Sequence, residues 1–260
     1  MSNPQALLAL SMKGGVGKTT TAIGLARALQ RRGQKTAILD VDVHGSALPR
    51  ALHLARDPGY EPLLGGRLRP VTWDGLQIFS IGLLFREETP NLWDGGMKAG
   101  AIKQIATTSI AWDQGLEWVV VATPPPSGDE VQRLLEHLPT IYGAVIVAQP
   151  NDLSLLGITK TLNMLRETEV AVCGLLANMA GYTCPHCGQK SNPFDREALD
   201  VERLAEEFGI AYLGPVPFAG EKERAAVMDQ VLDKVLGGRP VRLPKEKGGM
   251  RRWLMGKMLG

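Results

Sequence analysis

Lys13-Gly14-Gly15-Val16-Gly17-Lys18-Thr19-Thr20 follows a short apolar run, Ala6 to Leu10, and leads into a stretch of helical periodicity. Glycines in that position let the chain turn tightly and enter a helix with several backbone N–H groups converging on one point. The positive end of the helix dipole adds to the same field. A nucleotide polyphosphate suits such a cradle, with Lys18 reaching the β- and γ-phosphates and Thr19 offering its hydroxyl to Mg²⁺. Gly14, Gly15, Val16, Gly17 and Thr20 complete the expected phosphate-binding loop. Two features are unusual. Met12 stands where the common pattern has its first glycine, and Lys13 is a second lysine in the loop.

The remaining sequence alternates short β-branched runs with helical patterns, which predicts a predominantly parallel sheet with helices on both faces in three layers. A chain of 260 residues, 44% hydrophobic, suits one large α/β domain. That domain is expected over residues 1–238. Residues 239–260 form a basic tail with Arg239, Arg242, Lys245, Lys247, Arg251, Arg252 and Lys257 against Glu246 alone, whereas the whole chain carries only +2. The domain itself is therefore mildly acidic, and nothing points to a nucleic-acid partner. No apolar run has the length of a membrane span, and the N-terminus shows no signal pattern. Three cysteines, two of them in one C-x-x-C, suggest a reducing compartment, so a cytoplasmic location is expected.

The periodicity predicts a helix over Thr20–Arg32 stopped by Gly33, a strand over Lys35–Val41, and loop over 55–75, where Pro58, Pro62 and Pro70 cluster with glycines. Strands are expected at Leu76–Ser80, Trp118–Ala122, Ala144–Ala148, Val170–Leu176 and Ala211–Leu213. Helices are expected at Met97–Thr108, Asp129–Leu138, Leu153–Glu167, Arg196–Phe208 and Glu221–Leu236. A cysteine-bearing loop fills Ala180–Pro193. Asp40 and Asp42 fall at the C-terminal end of the second strand, the edge at which open parallel sheets bind ligands. Alternation turns both toward the phosphate loop, with Asp42 suited to positioning water and Asp40 to a Mg²⁺-linked role. Strand-end capping is the plainer alternative for both.

The Lys13/Lys18 pair is the signature of the deviant phosphate-loop ATPases, a group that includes MinD, ParA, the nitrogenase iron protein and the Mrp-type (ApbC-like) iron–sulfur carriers. Several further stretches resemble the Mrp group in particular. They are Asp40-Val41-Asp42-Val43-His44-Gly45 with Pro49-Arg50, Phe79-Ser80-Ile81-Gly82-Leu83-Leu84, Trp93, and Met97-Lys98-Ala99-Gly100. Asn178-Met179 with Cys184-Pro185-His186-Cys187-Gly188, Glu202–Glu207, and Leu213-Gly214-Pro215-Val216-Pro217 continue the match. The resemblance runs from about residue 7 to 236. It implies a homodimer holding ATP near the interface, with Lys13 reaching the partner's phosphates. It also implies that Asn178 hydrogen-bonds the adenine edge, with Pro217 beside the base. A buried asparagine closing a turn is the alternative for Asn178.

Cys184 and Cys187 supply two thiolates, whereas a 4Fe–4S cluster or a structural zinc usually takes four ligands. Two protomers meeting at a two-fold axis would pool two pairs, and the Mrp resemblance implies a shared 4Fe–4S cluster held this way. Zn²⁺ is the competing metal, and a redox pair is a further alternative. His186 is not expected to ligate, and Cys173 is read as core packing. The implied function is an ATP-binding dimeric carrier that delivers clusters to apo-proteins. The alternatives are a MinD/ParA-like positioning ATPase and a zinc-stapled nucleotide-binding regulatory dimer.

The chain departs from the Mrp pattern after the central strand, where D-x-P-P-G-T-G-D becomes Ala122-Thr123-Pro124-Pro125-Pro126-Ser127-Gly128-Asp129. Ala122 replaces the carboxylate that orders Mg²⁺-bound water, and Pro126 has no N–H to offer a γ-phosphate. ATP binding with weakened hydrolysis is the resulting expectation. The tail places Trp253, Leu254, Met258 and Leu259 among cations, so membrane contact is conceivable, but Gly248, Gly249 and Gly256 disfavour a helix there.

Overall fold

The computed structural model describes residues 3–11, 13–42, 46–54, 60–84, 100, 103, 105, 110–124, 129–138, 140–184, 186–192, 194 and 198–244. Met12, Val43-His44-Gly45, Trp93, most of the expected 97–108 helix, Pro125 to Gly128, Pro185 and the tail from Lys245 lie outside them.

The described strands form a nine-stranded sheet. β1 (Gln5–Leu10) pairs in parallel with β5 (Trp118–Ala122) on one side and β6 (Ile141–Ala148) on the other. Beyond β5 come β2 (Thr36–Asp40) and β4 (Leu76–Ser80), both parallel, then β3 (Val71–Trp73), antiparallel. Beyond β6 lies β7 (Val172–Thr183), which pairs in parallel with β9 (Tyr212–Phe218) and antiparallel with β8 (Lys190–Ser191).

Strands covered on both faces must be apolar throughout. The Trp-Val-Val-Val-Ala run of β5 is buried at every position. Its neighbour β1 sends Leu7 and Ala9 into one core layer and Ala6, Leu8 and Leu10 into the other. The first layer is closed by α1 (Lys18–Arg31) and α6 (Glu221–Gly237), through Leu25, Ala26, Leu29, Met228, Val231 and Leu232. The second is closed by α3 (Asp129–His137), α4 (Asp152–Glu167) and α5 (Ala198–Glu207), through Leu134, Leu162 and Val201. A short α2 (Leu48–Ala51) follows the segment after β2. The three-layer, mostly parallel architecture agrees with the expectation from sequence.

Three expectations need correction. Residues 55–75 are not all loop, because Val71–Trp73 forms β3 and joins β4 through Asp74-Gly75. Both turn residues have positive φ, 45° and 79°, which is the two-residue hairpin geometry an Asp-Gly pair favours. Second, β7 does not end at Leu176 but continues to Thr183, so Asn178 lies within the strand and the expected loop from Ala180 opens as a hairpin with β8. Third, β9 runs through Pro215 and Pro217 to Phe218. Prolines offer no N–H to a ladder, and β9 tolerates them as an edge strand.

The close pairing of β7 with β9 depends on Gly174. Its φ is +153°, and a Cβ there would lie 2.5 Å from the Ala211 carbonyl oxygen and 2.8 Å from Leu213 Cγ. Gly174→Ala should therefore destabilise the fold by about 2 kcal/mol or more. A urea midpoint unchanged from wild type would refute that packing argument.

Candidate functional site

Because the central strands are parallel, their C-terminal ends gather on one edge of the sheet. The Lys13–Thr20 loop leaves β1 at that edge and enters α1 through Gly17, whose φ is 93°, two residues after Gly15 at 77°. No side chain caps the start of α1. The loop's carbonyls, by contrast, are tied from within the protein. Lys18 Nζ donates to the Lys13 carbonyl at 3.3 Å, and Gln149 Nε2 to that of Gly15 at 3.3 Å. Asn178 Nδ2 donates to that of Val16 at 2.7 Å. A side chain on Gly17 would collide with the Asn178 amide, so only glycine admits this strut. With the carbonyls held back, the loop amides and the open helix N-terminus form an anion cradle.

Lys18 is 7% exposed, and burial lowers its pKa while the Asp42 and Asp40 carboxylates push it back up. Lys18 thus stands within electrostatic reach of both aspartates. Thr19 is half-buried and Thr20 exposed at the helix start. Lys13 is half-buried, and its backbone N–H donates to Ser11 Oγ at 3.2 Å.

The two aspartates differ. Asp40 is fully buried, with the Ser46 hydroxyl and the Ser80 hydroxyl (2.8 Å) on Oδ2 and the Asp42 N–H (3.2 Å) on Oδ1. Burial pushes its carboxyl up to about 6 against the lowering effect of those donors. Its oxygens are occupied, so Asp40 anchors the segment, whereas half-buried Asp42 is the carboxylate beside Lys18. Ala122 pairs in register with Asp40 on the same edge, so the strand beside Asp40 contributes no carboxylate.

The C-x-x-C forms the tip of the β7–β8 hairpin. Cys184 N–H donates to the Gln189 carbonyl and Gly188 N–H to the Cys184 carbonyl, both at 2.9 Å, with Gly188 at φ 70°. The Cys187 and His186 backbone N–H groups point at Cys184 sulfur and hold its thiol below the ordinary value, with a further contribution from the Cys187 side chain. Such N–H···S contacts suit a thiolate that binds metal. Both cysteines are free, Cys187 is exposed, and among the described residues no group of three or more His, Cys, Asp or Glu could hold a metal ion. Cys173 is a buried core residue, its thiol pushed up to about 12 by desolvation.

The expected residues therefore separate into two groups, the loop with Asp40, Asp42 and Asn178, and the cysteine hairpin. Pro217 is half-buried on β9, one residue past the Val216–Asn178 pair. Gln149, Ser46 and Ser80 were not foreseen, although each stands beside an expected site residue. A polar residue just past a buried strand was the available signal for Gln149.

In reduced protein at neutral pH, Cys184 should alkylate first and Cys173 should remain unmodified. Mass-resolved iodoacetamide labelling across pH checks this, and a Cys184 titrating at or above a free thiol would contradict the N–H···S geometry.

Comparison with known proteins agrees with this arrangement. The family model described as ParA, NUBPL iron-transfer P-loop NTPase, matches residues 3–235. An iron-sulfur cluster carrier protein of Methanocaldococcus jannaschii is 36% identical over 214 residues, spanning 81% of this chain and 71% of the relative. The iron-sulfur cluster transfer protein NUBPL of Mus musculus is 35% identical over 228 residues, 87% of this chain and 69% of its own. Among solved structures, a nucleotide-binding protein from Archaeoglobus fulgidus in complex with ADP superposes with a TM-score of 0.70 at 25% identity, covering 93% of this chain and 94% of that one. MinD from Pyrococcus horikoshii with Mg-ADP shares the fold with a TM-score of 0.63 at 15% identity, over 91% of this chain and 98% of that one. A strand–loop–helix cradle at the edge of a parallel sheet, with these relatives along nearly its full length, makes the chain a member of the ParA/NUBPL iron-transfer P-loop NTPase family.

Proposed function

We propose that the protein is an ATP-binding iron–sulfur cluster carrier that works as a homodimer and hands 4Fe–4S clusters to apo-proteins. One observation carries this reading. A preorganised turn presents two exposed or half-exposed thiols, one already biased toward thiolate, and no third ligand stands near them among the described residues. A second copy of the chain would supply the other pair across a two-fold axis, and a site completed in this way is open enough to release its cargo. The names of the relatives point to the same cargo.

On the nucleotide side, the amides of Gly14 to Thr20 and the Lys18 ammonium would bind the phosphates. Thr19 would hold Mg²⁺, which neutralises phosphate charge when bound, and the Mg²⁺-linked role expected of Asp40 would pass to Asp42, because the Asp40 oxygens are taken by Ser46, Ser80 and the Asp42 N–H. Lys13, half-buried at the mouth of the loop, would reach the partner's nucleotide. Asn178, which braces the loop, would also meet the adenine edge, with Pro217 beside the base. A cytoplasmic setting fits the free thiols, and no helix among the described residues is long and apolar enough to cross a membrane.

Anaerobic reconstitution with iron and sulfide should give a brown dimer carrying one cluster per two chains, and Cys184→Ala/Cys187→Ala should give neither colour nor bound iron. A colourless zinc-only dimer would instead favour the regulatory, zinc-stapled reading.

Hydrolysis should be slow, because Ala122 leaves the strand beside Asp40 without the water-ordering carboxylate. Ala122→Asp should raise turnover by roughly 10²-fold, the usual scale of one charge-stabilising group. Unchanged turnover in a folded, ATP-binding variant would mean that another group already does this work.

A further inference from the structure

The Phe79-Ser80-Ile81-Gly82-Leu83 segment supplies nothing to the nucleotide in the proposal above, yet it meets the aspartate segment from behind. Ser80 ends β4 in register with Asp40, and both are wholly buried. Its hydroxyl contacts Asp40 Oδ2 at 2.8 Å and Ser46 Oγ at 2.6 Å, and Ser46 reaches the same carboxylate oxygen. Gly82 N–H donates to Ser80 Oγ at 3.2 Å. A Cβ on Gly82 would lie 2.6 Å from Ser46 Cβ and 3.4 Å from Pro49 Cγ, so Ser46 can reach Asp40 only because residue 82 has no side chain. Tyr60 fixes the far side. Its hydroxyl accepts from the Ser80 N–H at 2.5 Å and donates to the Ser80 carbonyl at 2.9 Å, while its ring stacks on Phe79 at 4.5 Å and 6°.

Asp42 and Ser46 flank residues 43–45, and both are tethered to Asp40, one by its backbone N–H and the other by its hydroxyl. We infer that Ser80 and Gly82 are positioning residues for the nucleotide's Mg²⁺: they hold Asp40 and Ser46 at the end of β4 and, through the Asp42 N–H on Asp40 Oδ1, fix where the Asp42 carboxylate stands. The inference rests on the proposed reading in which Asp42 and Thr19 serve that ion. Buried oxygens with three partners in register hold a chain to within a fraction of an ångström, which is the tolerance a metal–water–carboxylate arrangement requires. The Asp40 carboxylate acts as the peg in this joint and Ser80 as its socket.

Binding of N-methylanthraniloyl-ATP to the full chain, with and without Mg²⁺, tests the assignment in wild type, Ser80→Ala, Gly82→Ala and Ser80→Thr. Ser80→Ala and Gly82→Ala should bind within about twofold of wild type in the absence of Mg²⁺ but lose roughly tenfold of the affinity that Mg²⁺ adds. Ser80→Thr keeps the hydroxyl and should retain that gain. The inference is overturned if both variants keep the full Mg²⁺ gain, or if metal-free and metal-bound affinities fall together, as a general loss of structure would cause. Should Gly82→Ala fail to fold, the Ser80→Ala and Ser80→Thr pair decides. A wild type that binds no nucleotide at all defeats the site assignment itself, a result distinct from either.

Discussion

The parallel pairing of β1 between β5 and β6 is the constraint on which the rest of the molecule depends. Parallel strands all end on the same edge, so the loop after β1, the aspartates after β2, Ala122 and Asn178 are delivered to one place by pairing alone. The cost of that pairing is burial on both faces. It is met by runs such as Leu7 to Leu10 and Val119 to Val121, and by helical layers on either side.

At that edge the polypeptide separates donors from acceptors. Asn178, Gln149 and Lys18 take the loop's carbonyls, and Gly15 and Gly17 supply the left-handed turns. Each strut comes from a different part of the chain, so the cradle's geometry is a property of the sheet. The same logic governs the carboxylates. Asp40 is withdrawn into a hydroxyl-lined joint with Ser46 and Ser80, and Asp42, only half-buried, acts on the Lys18 charge more strongly than Asp40 does. The aspartate end of β2 is thereby joined to the end of β4 beside it.

The cysteine hairpin extends β7 beyond the strand that braces the phosphate loop. Asn178, under the loop, lies on β7, and Cys184 follows directly after the strand's last residue, Thr183, with a register shift between Asn178 and Tyr182. A physical link between nucleotide and thiol regions therefore runs along a single backbone.

Much of this was written in the local sequence. The glycine-lysine run, the valine-rich strands and the Cys-x-x-Cys each carry their meaning within a few residues, because tight turns, two-sided burial and metal knuckles are short-range demands. The Asp74-Gly75 hairpin was equally local but was hidden among prolines and glycines that read as loop. The length of β7 and β9 was not legible, since Ala180 to Thr183 and Pro215 to Phe218 lack strand periodicity and become strands only by pairing with each other's neighbours. Nor was the difference between Asp40 and Asp42. Two identical side chains two residues apart differ in burial because Ser80, forty positions away, meets one of them in register and not the other. Sequence chose the residue types and the order of strands; only packing between distant strands decided which of the two carboxylates was wholly buried.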